Sequence, residues 1–148
     1  MLYFAYGSNL WNQQMESRCP QYKKIGTGRI DGWRWIITSR GYASIVESEA
    51  DYLLGTVFEL SESDLLNLDR FEGVTRGSYY KEILQVNIEG KILDCMVYID
   101  PVVEEGKPRE EYINRINRGI VDAGLADDYV QRYLRPFVPA EALNKGFD

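Results

Sequence analysis

Apolar and polar positions alternate at short period through much of the first hundred residues, and a sustained helical period appears only near the C-terminus. A strand over 2–6 leads into a loop at 7–10 and a short polar helix near 11–17, which Pro20 helps to end. Extended segments rich in aromatic and β-branched residues follow at about 29–38, 42–47 and 52–59. Ser39-Arg40-Gly41 and an acidic stretch from Glu47 to Asp51 separate them. Ser61 and Asp64 form an N-cap pair for a helix to about residue 71, with Gly73 as its terminator. Strands at about 79–88 and 91–99 flank Glu89-Gly90 as a hairpin, and Pro101 ends the second.

Pro108 suits the first turn of a helix in which Tyr112, Ile113, Ile116, Ile120 and Val121 recur at helical spacing until Gly124. A last amphipathic segment, ending at Pro136, sets Tyr129, Val130, Tyr133 and Leu134 toward a core, and residues 140–148 read as a loose tail. A meander of strands with few, late helices predicts an α+β fold whose sheet curls into a small barrel. At 148 residues the chain is expected to be one domain spanning 1–148, burying roughly two-thirds of its unfolded surface.

Composition narrows the chemistry. There is no histidine, which removes Ser-His and Cys-His dyads together with the commonest zinc ligand. Acid/base work then falls to a carboxylate, a tyrosine, a lysine or a thiol. Cys19 and Cys95 lack metal-ligand spacing and are expected to be reduced thiols. Neither a metal nor an organic cofactor is expected. A net charge of −6 offers no general attraction for nucleic acid, and Trp33-Arg34-Trp35 reads as strand packing rather than as a base-stacking patch. Glu47, Glu49 and Asp51 alternate along a solvated face and argue against a hard-cation site. With no run of about 18 apolar residues and no basic-then-apolar leader, the expectation is a soluble, cytoplasmic protein without a membrane span.

Two places carry candidate chemistry. The first strand stops at Tyr6-Gly7-Ser8-Asn9-Leu10, where Gly7 tolerates a positive φ and close ligand approach, and consecutive amides can form an anion-binding nest. Such donors suit a carboxylate or a developing oxyanion, although an ordinary Gly-Ser-Asn turn accounts for the same residues. The second is Glu72, seven residues beyond Leu65 and four beyond Leu68 on one inward helical stripe. Apolar surroundings and the negative end of the helix dipole would both raise its pKa above about 4.3, which suits proton transfer near neutral pH. A solvent-exposed glutamate just past the helix is the alternative. Ser8 has no histidine to activate it and no Gly-x-Ser-x-Gly elbow around it.

Residues 4–10, Phe-Ala-Tyr-Gly-Ser-Asn-Leu, together with Leu68-Asp69-Arg70-Phe71-Glu72-Gly73-Val74 and the following Gly77-Ser78-Tyr79, resemble the γ-glutamyl cyclotransferase family in content, order and spacing. Gly41-Tyr42-Ala43-Ser44-Ile45-Val46 and Gly55-Thr56-Val57-Phe58 resemble its central strands, so the likeness spans about residues 2–135. The resemblance implies a mixed barrel with peripheral helices. It also implies a reaction in which the α-amine of an L-γ-glutamyl group attacks its own γ-carbonyl, releasing 5-oxoproline and an amine or amino acid. Glu72 would be the acid/base; the loop Gly7, Ser8, Asn9 and Leu10 would hold substrate oxygens; and Tyr6, Tyr79 and Tyr98 would line the pocket. A non-catalytic module binding a small ligand or partner on the same fold, and hydrolysis to free glutamate by Glu72-activated water, are the competing readings. The motifs leave open the leaving group and the oligomeric state, a homodimer included.

Overall fold

Five strands form the frame: β1 (Leu2–Ala5), β2 (Lys23–Ile37), β3 (Ala43–Glu59), β4 (Tyr80–Ile88) and β5 (Lys91–Ile99). In this computed structural model, which describes residues 1–140, they close a barrel in the order β1-β3-β2-β4-β5. Closure comes from a parallel pairing of β1 with β5, Tyr3 opposite Met96, whereas the other pairs are antiparallel. Because β1 and β5 run in the same direction, the loops leaving their C-terminal ends emerge at one rim, and the site described below forms there. Helices α1 (Asn12–Arg18), α2 (Glu62–Phe71), α3 (Glu110–Ala123) and α4 (Asp127–Tyr129) complete the mixed α+β fold, and α4 runs on into a π-turn, Val130–Leu134.

The two-residue period of a strand divides the core. In β1 and just beyond it, Phe4 and Tyr6 join one apolar cluster with Leu53, Val57, Val86 and Val97, while Tyr3 and Ala5 face a second with Met15, Phe58, Leu68 and Tyr98. Strand β5 alternates likewise, Cys95, Val97 and Ile99 to the first and Met96 and Tyr98 to the second. Cys19 and Cys95, free thiols, thus lie in different clusters. Gly55 marks a close crossing, since a Cβ there would stand 2.1 Å from the Ala5 carbonyl oxygen.

Most expected elements are present, with instructive differences. The segments expected at 42–47 and 52–59 are one strand, β3, and the acidic stretch between them is a bulge: Trp33 pairs with Glu47 and Asp31 with Tyr52, leaving Gly32 opposite four residues. Asp51 is held there by the hydroxyls of Ser48 and Tyr133 and faces Arg132 at 3.6 Å. Strand β2 begins at Lys23, earlier than the pattern indicates, because residues 23–25 are exposed and show no alternation. Ser61 caps α2 as expected, accepting from the Asp64 amide, and Gly73 follows at φ +67°. The N-cap of α3 is Arg109, so Pro108 lies before the helix rather than in its first turn. Val121 points to solvent, being 69% exposed, while Tyr112 and Ile116 are buried. Glu89 and Gly90, both at positive φ, make the tight turn between β4 and β5. The tail expected at 140–148 lies, Ala140 apart, outside the described residues. No helix among the described residues is long and apolar enough to cross a membrane.

Candidate active site

At the rim where β1 and β5 end, a cavity of about 300 Å³ opens between the turn at 7–9, the C-terminal end of α2, the 38–42 turn and the start of α3. That volume suits a small ligand. Glu72 enters it as the C-cap of α2, one residue past the helix end and four beyond buried Leu68 on the same stripe, so the helix that packs on the barrel also delivers the carboxylate. Its side chain is only 16% exposed. Burial pushes its pKa from an ordinary 4.5 up to about 7, opposed by the Arg18 guanidinium and the Asn9 amide. Oε1 accepts from Asn9 Nδ2 at 3.4 Å and lies 3.8 Å from Arg18 Nη1, while Oε2 has no polar partner among the described residues. The group therefore combines a near-neutral pKa with one oxygen free to accept a proton.

Opposite it, residues 8–10 form a 3₁₀ turn in which the Leu10 amide donates to the Gly7 carbonyl and the Trp11 amide to that of Ser8. The amides of Gly7, Ser8 and Asn9 meet no main-chain acceptor among the described residues, and all three residues line the cavity. Gly7 has φ −122°, not the positive φ that glycine tolerates. Space there is tight for anything larger than glycine: a Cβ would stand 3.2 Å from Ala43 Cβ and 3.3 Å from the Tyr112 hydroxyl. Leu10 does not reach the cavity. Its side chain is buried in the second apolar cluster and its amide is spent within the turn, because the 3₁₀ geometry rotates the fourth residue of the loop into the core.

Tyrosines build the walls. Tyr6 donates its hydroxyl proton to the Tyr98 carbonyl at 2.6 Å, Tyr98 to Asp69 Oδ1 at 2.6 Å and Tyr79 to the Ala43 carbonyl at 3.0 Å. Their protons are committed to the protein, and burial raises all three pKa values, so they stay neutral and shape the cavity. Tyr6, Gly7, Ser8, Asn9, Glu72, Tyr79 and Tyr98 are thus brought together around one space.

Other lining groups were not singled out from the sequence. Arg18, Arg40, Arg76 and Arg115 outnumber Glu72 and Glu111 in the cavity wall, although the whole chain is acidic. Arg40 is fixed by the fully buried Asp100 at 3.0 Å and by the Ser78 carbonyl at 2.9 Å. Tyr3 and Tyr112 also face the space. Gln14 and Arg18, four apart on α1, both donate to Asn9 Oδ1, at 2.9 and 3.1 Å. Their helical spacing was available from the sequence, but the return of α1 over the 7–9 turn was not. Among the described residues no three His, Cys, Asp or Glu side chains gather as metal ligands.

With this geometry established, comparisons with known proteins agree with one another. The family model described as gamma-glutamyl cyclotransferase, AIG2-like, matches residues 3–115. The gamma-glutamylcyclotransferase of Mus musculus is 32% identical to the chain, the match covering 97% of the chain and 82% of the mouse protein. That of Homo sapiens is 31% identical with the same coverage. A solved structure described as a gamma-glutamyl cyclotransferase superposes with a TM-score of 0.84 at 27% identity, covering 98% of this chain and 96% of that one. On these matches, the chain belongs to the gamma-glutamyl cyclotransferase, AIG2-like family.

Proposed function

We propose that this protein is an enzyme that converts L-γ-glutamyl compounds to 5-oxoproline and a free amine or amino acid, with Glu72 as the acid/base. The observation that carries this reading is the pairing, in one cavity, of a buried carboxyl of near-neutral pKa with a turn whose amides at Gly7, Ser8 and Asn9 meet no main-chain acceptor among the described residues. The substrate's own α-amine is the nucleophile, which is how a chain without histidine manages acyl transfer. As its nitrogen bonds to the γ-carbon, Glu72 takes a proton from it through Oε2. The carbonyl oxygen, becoming an oxyanion, is held by the amides of the turn. Collapse breaks the bond to the leaving nitrogen, and Glu72 returns the proton there.

Closure of a five-membered ring is intramolecular, and well-oriented closures reach effective molarities of about 10⁵–10⁸ M. The cavity's contribution is therefore chiefly to fold the substrate and to manage charge. Its excess of arginines over glutamates suits a substrate that carries a carboxylate. Every group named comes from one chain, so a homodimer is not needed for this chemistry. The free thiols of Cys19 and Cys95 support a cytoplasmic location.

Incubation of the purified protein with a panel of L-γ-glutamyl amino acids, amines and peptides, scored by mass for products, tests the proposal. Formation of 5-oxoproline with the free amine is expected. Release of glutamate would replace it with hydrolysis, and binding without turnover across the panel would leave a binding module.

A further inference from the structure

We infer that Gln14, which lies behind the site, is a positioning residue that sets the orientation of the Asn9 carboxamide and through it the placement of the Glu72 carboxylate. Gln14 is buried. Its Nε2 donates to Ser8 Oγ at 2.7 Å and to Asn9 Oδ1 at 2.9 Å, and its Oε1 accepts from Arg115 Nη1 at 3.4 Å. An amide's two ends look alike in shape, so only partners decide which way it faces. Guanidinium groups donate and never accept, so Arg115 fixes the oxygen of Gln14, and its amide nitrogen must then face Asn9. Gln14 and Arg18 together fix the oxygen of Asn9. The Asn9 nitrogen is left to donate to Tyr3 Oη at 2.9 Å and to Glu72 Oε1 at 3.4 Å. Reversing the Asn9 amide would place an oxygen against the carboxylate. The chain of partners from Arg115 through Gln14 and Asn9 thus holds Oε1 and leaves Oε2 for the proton, in a role that rests on Glu72 being the acid/base proposed above.

The field around Glu72 comes from several elements. Arg18 on α1 is the charged side chain beside it, while Tyr3, Tyr6, Tyr79, Tyr98 and Tyr112 face it as neutral phenols whose ionisation burial disfavours. Arg40, Arg76, Arg115 and Glu111 lie further around the same cavity. Replacing Gln14 by methionine changes none of these charges and removes its hydrogen bonds to Ser8, Asn9 and Arg115 together, so the Asn9 background below separates the bond to Asn9 from the other two.

The test is the titration of Glu72 in Gln14→Met, followed by the carboxyl ¹³C shift that disappears in Glu72→Gln, alongside kcat/KM against pH. Donors to a carboxylate lower its pKa, so the midpoint should rise by about 0.5 pH unit as the Asn9 amide, held then by Arg18 alone, donates less steadily to Oε1. The acidic limb of kcat/KM should move with it, and kcat should fall more than KM rises. In an Asn9→Leu background, where there is no amide to orient, Gln14→Met should move the midpoint no further. An unshifted midpoint in Gln14→Met, or equal shifts in both backgrounds, would overturn the role. If Gln14→Met fails to fold, nuclear Overhauser contacts in the wild-type protein decide instead. The Asn9 Nδ2 protons should contact the Tyr3 ring, and contacts to the Gln14 amide protons in its place would refute the orientation. Absence of turnover on every γ-glutamyl compound would sink the proposed reaction while the carboxyl titration still decided the role of Gln14.

Discussion

Glu72→Gln separates the chemical role of the carboxylate from its structural setting, because the amide keeps shape and reach but cannot take a proton. General acid/base groups contribute about 10²–10⁴-fold, and a loss of that size in kcat with little change in KM is expected. The structure also predicts how the wild-type enzyme responds to pH. With the carboxyl titrating at about 7, the ionised fraction falls about tenfold between pH 8 and pH 6, and kcat/KM should fall with it. An ordinary carboxyl at 4.5 would leave that interval flat. Stability moves the other way. Between pH 4.5 and 7 the native state binds a proton that the unfolded chain has released, so wild-type stability declines as pH rises through that window and levels off above it. The displacement from 4.5 to about 7 corresponds to about 3 kcal/mol as an upper figure. Glu72→Gln, neutral at all pH values, should therefore gain on the wild type between pH 5 and pH 8. Urea denaturation at those two pH values measures the gain, and 5-oxoproline formation from pH 5 to 9 measures the rate. A loss of turnover under tenfold would remove Glu72 from the mechanism. A stability difference independent of pH would refute the claim that burial sets its pKa.

Gly7→Ala places a Cβ against Ala43 and the Tyr112 hydroxyl, both of which can yield by a few tenths of an ångström. Turnover should fall at least about tenfold, as expected when oxyanion donors shift, while urea denaturation shows a loss of about 1 kcal/mol or less. Turnover at the wild-type rate would mean that the turn does not bind the reacting oxygen. Gly55→Ala should destabilise by about 3 kcal/mol or more, or prevent folding, because its Cβ would meet the backbone oxygen of Ala5 at 2.1 Å. A soluble variant with unchanged denaturation would contradict the β1–β3 register. Turnover should persist through dialysis against EDTA, since the chain has no histidine and the described residues gather no three-ligand cluster. Loss restored by one divalent metal would refute that.

Local pattern alone determined the order of strands and helices, the Ser61 cap and the Glu89-Gly90 turn, because each depends on contacts within a few residues, while it left Glu72 open between an inward and a solvent-exposed position. The family motifs likewise located Gly7, Ser8, Asn9 and Glu72 from the sequence. What local pattern could not supply was anything that depends on which distant segments meet. The acidic stretch from Glu47 to Asp51 reads as a separator between two strands because three of its side chains are carboxylates, and only pairing with β2 across Gly32 makes residues 48–51 a bulge within one strand. The pattern shows that Gly7 tolerates a positive φ and a close approach, whereas its φ is −122° and the approach comes from Ala43 and Tyr112, 36 and 105 residues away in the chain. Leu10 belongs to the motif but not to the cavity, because a 3₁₀ turn rotated it into the core. The overall charge of −6 gave no sign of four arginines around one cavity, since net charge sums over the surface while binding responds to the local field. Tertiary structure likewise set the pKa of Glu72, because desolvation is a property of everything packed around a group.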